Sequence, residues 1–142
     1  MSVTFSAQRS SGDWSLGTGQ IEYESEGINM SQRNAADMLR LLGFVHAPDV
    51  DEREWCDDTT PVPDWIGDCD PGDFSGRILL ARALLDNATD DAHGLPTVDD
   101  NEPGRARWID LGREPGYLAR RLGELQEVTD DAARNSALVV WG

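Results

Sequence analysis

The stretch DWIGDCDPGDFSG, Asp64 to Gly76, sets four carboxylates, a thiol and three glycines in thirteen residues. Oxygen ligands at that density suit calcium. An EF-hand loop needs oxygens at positions 1, 3 and 5, glycine at 6 and a bidentate Glu at 12. Counted from Asp68, the third oxygen falls on Gly72, the glycine on Asp73 and the Glu on Leu79. The pattern fails there. A structural reading accounts for more of it. Asp70 or Asp73 serves as a helix N-cap, Pro71 suits the first helical position, and carboxylates in a first turn favour the positive end of the helix dipole. Zinc would want ligands in pairs two to four residues apart. Cys56, Cys69, His46 and His93 offer no such pair. No metal and no cofactor are therefore expected. The two thiols read as reduced cysteines, with a disulfide across the intervening loop as the alternative.

Catalytic patterns are thin. There is no GxSxG elbow. Asp90, Asp91 and His93 in D-D-A-H, with Arg113, could place a base beside acids, although a solvated loop explains them as simply. Gly17-x-Gly19 lacks the third glycine and the following helix of a dinucleotide site and reads as a turn. Arg105 to Arg121 is the one basic cluster, with five arginines against Asp110 and Glu114. Arg113, Arg120 and Arg121 could hold an anion at a helix start. Pairing with acids of the same chain is the competing account. Trp55, Asp64, Trp65 and Asp68 combine aromatics with carboxylates, a pattern that suits docking of a basic partner.

Charge sets the wider limits. The 142 residues carry 27 acids against 12 bases, a net charge of −15. Every base is arginine, and Asp outnumbers Glu by 18 to 9, a usage that suits a GC-rich genome or salt adaptation. Such a surface repels nucleic acid, whose binding relies on neutralised phosphates, and anionic lipid. It favours basic proteins. No apolar run approaches the roughly 20 residues of a membrane span. The start, MSVTFSAQRSS, lacks the basic and apolar regions of a signal peptide, so the expected compartment is the cytoplasm.

These residues need elements to hold them. Val3–Ala7 and Ile21–Glu24 alternate as strands, with Trp14 expected in a short strand between them. Ser31 caps a helix whose Ala35, Met38, Leu39 and Leu42 share a face, ended by Gly43. Residues 46–73 read as a long acidic loop. Residues 73–85 form a helix that is apolar on nearly all sides and therefore buried at the centre of the fold. A second acidic loop spans 86–104. A strand over Ala106–Leu111, a helix opened by Pro115 that could reach Arg134, and a strand over Ala137–Trp141 close the chain, the last three suiting a parallel crossover. The class is α+β in a single domain over 1–142, with a small mixed or antiparallel sheet and about three helices.

Four stretches, INMSQRNAADMLRLLGF, DFSGRILLARALL, PGYLARRLGELQ and the terminal VVWG, resemble small uncharacterised proteins of high-GC actinobacteria and their phages. The resemblance covers about a third of the chain. It implies a mobile-element origin and assigns no activity to any residue. The leading expectation is a non-enzymatic, acidic protein-interaction module that binds a basic host factor, including by mimicry of nucleic acid. The alternatives are a small hydrolase-like or metal-dependent enzyme, with its site between the 86–104 loop and the third helix, and a structural or oligomerising protein.

Overall fold

A computed structural model describes residues 2–47, 61–87 and 116–142. Its centre is a sheet built on β1 (Ser2–Ser11). Alternation puts Val3, Phe5 and Ala7 into the core. One side of β1 is covered by a broken arm: β2 (Gln20–Glu24) pairs with its second half and β3 (Ile28–Ser31) with its first. Ser25 bridges the break. Its N–H donates to the Ala7 carbonyl at 2.9 Å, and its Oγ accepts from the Ala7 N–H at 2.8 Å. On the other side lie β7 (Leu138–Trp141) and then β6 (Gly67–Cys69), giving the order β2-β1-β7-β6. A separate two-stranded ladder joins β4 (Val45–His46) to β5 (Val62–Pro63).

Every pairing among the described strands is antiparallel. The parallel crossover expected at the C-terminus is thus not seen at β7, and the strand expected over Ala106–Leu111 lies outside the described residues. The expected loop over 46–73 also changes. Its described part, 61–73, carries β5, β6 and a helix start. Strands of two and three residues are too short to show a period. Trp14 sits in a 3-10 turn, Trp14–Leu16, rather than a strand.

Three α-helices lie among the described residues. α1 (Gln32–Leu42) ends at Gly43, whose φ of 78° is left-handed and whose N–H returns to the Leu39 and Arg40 carbonyls. Ser31 holds the N-cap position but makes no side-chain capping bond. α2 (Pro71–Asn87) starts as its sequence suggests: Asp70 Oδ1 accepts from the N–H of Gly72 at 2.8 Å and of Asp73 at 3.4 Å, with Pro71 at the first position. α3 (Tyr117–Arg134) begins after Gly116 and buries Leu122, Leu125, Val128 and Ala132.

α2 is central, packed on both α1 and α3. Its burial follows one stripe only, with Phe74, Ile78 and Ala81 inaccessible. Leu79, Leu80 and Leu84 stay exposed, at 64%, 64% and 54%. An all-round apolar sequence did not enclose all sides of the helix.

The layers meet in an aromatic cluster. Trp141 packs 4.5 Å from Phe44, centroid to centroid, and 6.2 Å from both Phe5 and Phe74. Its indole N–H donates to the Asp64 carbonyl at 2.7 Å. Gly67 passes directly beneath: a Cβ there would fall 2.4 Å from Trp141 Cζ2. Close approach of backbone to ring is what requires glycine at this position.

Candidate functional site

The opening stretch is a structural joint. The Asp64 N–H donates to the Phe44 carbonyl at 3.0 Å, and its carboxylate meets His46 Nδ1 at 2.7 Å. Trp65 is half-buried and packs on the core, while Asp68 is exposed on β6 opposite Val140. Trp55 lies outside the described residues. Of the expected partner-binding residues, Asp64, Trp65 and Asp68 are described. Trp65 is turned inward and Asp68 outward on the open face of the sheet.

The Cys69 thiol is free and nearly buried. It donates to Asp73 Oδ2 at 3.3 Å, and Arg77 Nε donates to the same oxygen at 3.3 Å. Arg77 also caps the end of α1 through the Leu42 carbonyl at 3.0 Å and lies 4.4 Å over the Phe44 ring. Burial, followed by the bond to Asp73, pushes the thiol pKa up to about 11. A nucleophilic cysteine needs the opposite shift. The triplet Cys69-Asp73-Arg77 is chemically quiet and ties α1 to α2.

The basic candidates are partly committed. Arg121 donates to Tyr117 Oη at 3.2 Å and to Glu124 at 2.5 Å, contacts that raise its pKa. Arg120 lies over the Tyr117 ring at 5.6 Å. Arg113, Asp90, Asp91 and His93 fall outside the described residues, and so does most of the expected 86–104 loop. Among the described residues no cluster of three or more His, Cys, Asp or Glu is arranged to hold a metal. No described helix is long and apolar enough to cross a membrane.

What the structure does assemble is an acidic groove of about 610 Å³ between the break in the β2–β3 arm and α3. Glu24 and Glu26 come from the arm, and Glu124, Glu127 and Asp131 from α3. Arg134 is the one cation among the described lining residues, and Ile28 and Val128 supply apolar floor. The register explains the meeting. Tyr23, opposite Arg9, reaches α3, and its hydroxyl donates to Asp131. That bond raises the phenol above its usual pKa.

Asp131 also takes Asn135 Nδ2 at 3.2 Å and Arg134 at 3.5 Å. Glu124 is held by Arg121. Glu24, Glu26 and Glu127 make no ion pair among the described residues. Carboxylates gathered against low-dielectric walls concentrate a negative field, which draws cationic groups. None of these five acids stands out in the sequence as a site. The signal available was the spacing of Glu124, Glu127 and Asp131, which fall on one flank of α3 beside its buried face. No protein-family model matches the chain, nor does any curated protein or solved structure.

Proposed function

We propose that this chain is a non-enzymatic binding module of the cytoplasm that takes a basic protein segment into the acidic groove between the β2–β3 arm and α3. One observation carries the reading: five carboxylates from two distant parts of the chain converge on one groove against one arginine among its described lining residues. The net charge of −15 favours encounter with a cationic partner and disfavours nucleic acid. The chemistry of the described residues supports binding over catalysis. The buried thiol is held protonated near neutral pH, and the His46 imidazole sits against a carboxylate on a joint between strands.

The test compares two double variants of equal charge. Glu26→Gln/Glu127→Gln neutralises the groove. Asp68→Asn/Asp86→Asn removes the same two charges elsewhere, Asp68 being on the open sheet face. A labelled arginine-rich peptide is titrated by fluorescence anisotropy at low and moderate salt. The groove variant is expected to bind about fivefold or more weakly than the control variant, with a shallower salt dependence. Equal losses in the two variants would mean that affinity tracks net charge alone, and the groove would lose its role.

A further inference from the structure

The tip of the β1–β2 hairpin is built to a higher standard than a connection requires. The Asp13 carbonyl accepts from the N–H groups of Leu16, Thr18 and Gly19 at 3.2, 3.0 and 3.1 Å. Asp13 Oδ1 takes the Ser15 N–H at 2.8 Å and the Ser15 hydroxyl at 2.6 Å, and the Asp13 N–H donates to Thr18 Oγ1 at 3.0 Å. Gly12 is left-handed at φ 79°, and a Cβ there would lie 2.1 Å from the Thr18 carbonyl oxygen. A Cβ on Gly19 would lie 2.3 Å from the Trp14 ring. The turn satisfies its polar groups internally and fixes the base of the indole.

That rigid frame leaves its apolar side chains outside. Trp14 is 62% exposed, Leu16 77% and Ile21, at the start of the arm, 48%. Interfaces concentrate binding energy in a few aromatic anchors, and an anchor held rigid loses less entropy when it docks. The surroundings are acidic: from Arg9 to Glu26 the hairpin carries Asp13, Glu22, Glu24 and Glu26 against Arg9 alone. Five residues of extended chain from Gly19 to Glu24 put the tip about 17 Å from the groove. A standard interface of about 800 Å² per partner is about 30 Å across, wide enough to span that distance.

We propose that the hairpin tip is the apolar anchor of the same interface. Trp14 and Leu16 would receive large apolar side chains of a partner segment whose arginines or lysines meet the arm and groove. The partner is then an amphipathic basic segment rather than a purely basic one. This rests on the reading of the groove as a site for basic protein.

Two synthetic peptides of about 14 residues, long enough as helices to span about 20 Å, separate the two ideas. Both carry the same arginines; one is filled out with leucine and the other with serine. The wild-type chain is expected to bind the leucine peptide at least tenfold more tightly. In Trp14→Ser/Leu16→Ser, which touches exposed side chains and leaves the fold intact by circular dichroism, that preference should vanish while serine-peptide affinity holds within twofold. Equal binding of the two peptides by the wild type would overturn the anchor and leave the groove standing. A leucine preference that survives Trp14→Ser/Leu16→Ser would also overturn it, placing the anchor elsewhere, such as the exposed α2 leucines. Failure of both peptides to bind would remove the groove reading and the anchor with it.

Discussion

Gly67 and Trp141 should prove to be energetically one feature. Trp141→Phe removes the N–H that donates to the Asp64 carbonyl at 2.7 Å. It also empties about 35 Å³ beside Phe44 and Phe74, costing about 1 kcal/mol at roughly 24 cal/mol per Å³. The lost hydrogen bond adds about 1 kcal/mol, for a total of about 2 kcal/mol. Gly67→Ala forces a Cβ to within 2.4, 2.9 and 3.0 Å of Trp141 Cζ2, Cε2 and Cη2. That ring cannot retreat, because three other aromatic rings surround it. Overpacking of this kind costs about 1–3 kcal/mol. A phenyl ring at position 141 lacks the outer indole atoms, so the added methyl should cost close to nothing in Trp141→Phe. Urea denaturation of the four proteins closes the cycle, with matched slopes as the condition for comparing them. The expected coupling is at least about 1 kcal/mol. Additivity within about 0.5 kcal/mol would refute the claim that the indole dictates glycine at 67.

Three further predictions concern the same end of the fold. In a Cys56→Ser chain, where Cys69 is the sole thiol, iodoacetamide at pH 8 should label the native protein at least ~100-fold more slowly than the denatured one. The pKa of about 11 leaves only about one thiol in a thousand ionised at that pH. A comparable native rate would show the thiol to be open. The folded pKa is raised above that of the unfolded thiol, so Cys69 supports stability fully below about pH 9 and loses that contribution as pH climbs toward 11. With no lysine in the chain, thiols and phenols dominate titration in that window. The fall in urea midpoint between those pH values should be smaller in Cys69→Ala than in the wild type; an unchanged slope would contradict the assignment. Asp70→Ala, which strips the carboxylate from two α2 N–H groups, should cost about 1 kcal/mol in the same melts.

The sequence revealed those parts of the fold that local periodicity encodes. The buried faces of α1 and α3, the alternation in β1, the Gly43 stop and the Asp70-Pro71 start all depend on residues within a few positions of one another. β4, β5 and β6 were lost because two or three residues carry no period. The outer face of α2 was misread for a different reason. Leu79, Leu80 and Leu84 have the same character as Ile78, and only the placement of α1, α3 and the sheet decides which of them is covered.

The tryptophans show the same limit at the level of function. Trp65 sits beside Ile66, which argues for burial, and it does pack on the core; but Ile66 is 83% exposed. Around β6 the chain alternates, with Trp65, Gly67 and Cys69 toward the helices and Ile66 and Asp68 away. Asp68, close to Trp65 in sequence, is thereby turned to the opposite face of the sheet from it. Trp14 had no apolar neighbour and lay among Gly, Ser and Asp, the residues of a tight turn. That surrounding was the readable sign of an indole held outward. The groove needed more than any window could hold, because its two halves lie about a hundred residues apart and meet through β1, which pairs with the arm at one edge and packs against α3, and through the Tyr23–Asp131 bond. Charge in this chain is spread along the whole sequence. Where it becomes a site is decided by the pairing of strands, and the three carboxylates on one flank of α3 were the only half of it that the sequence could place.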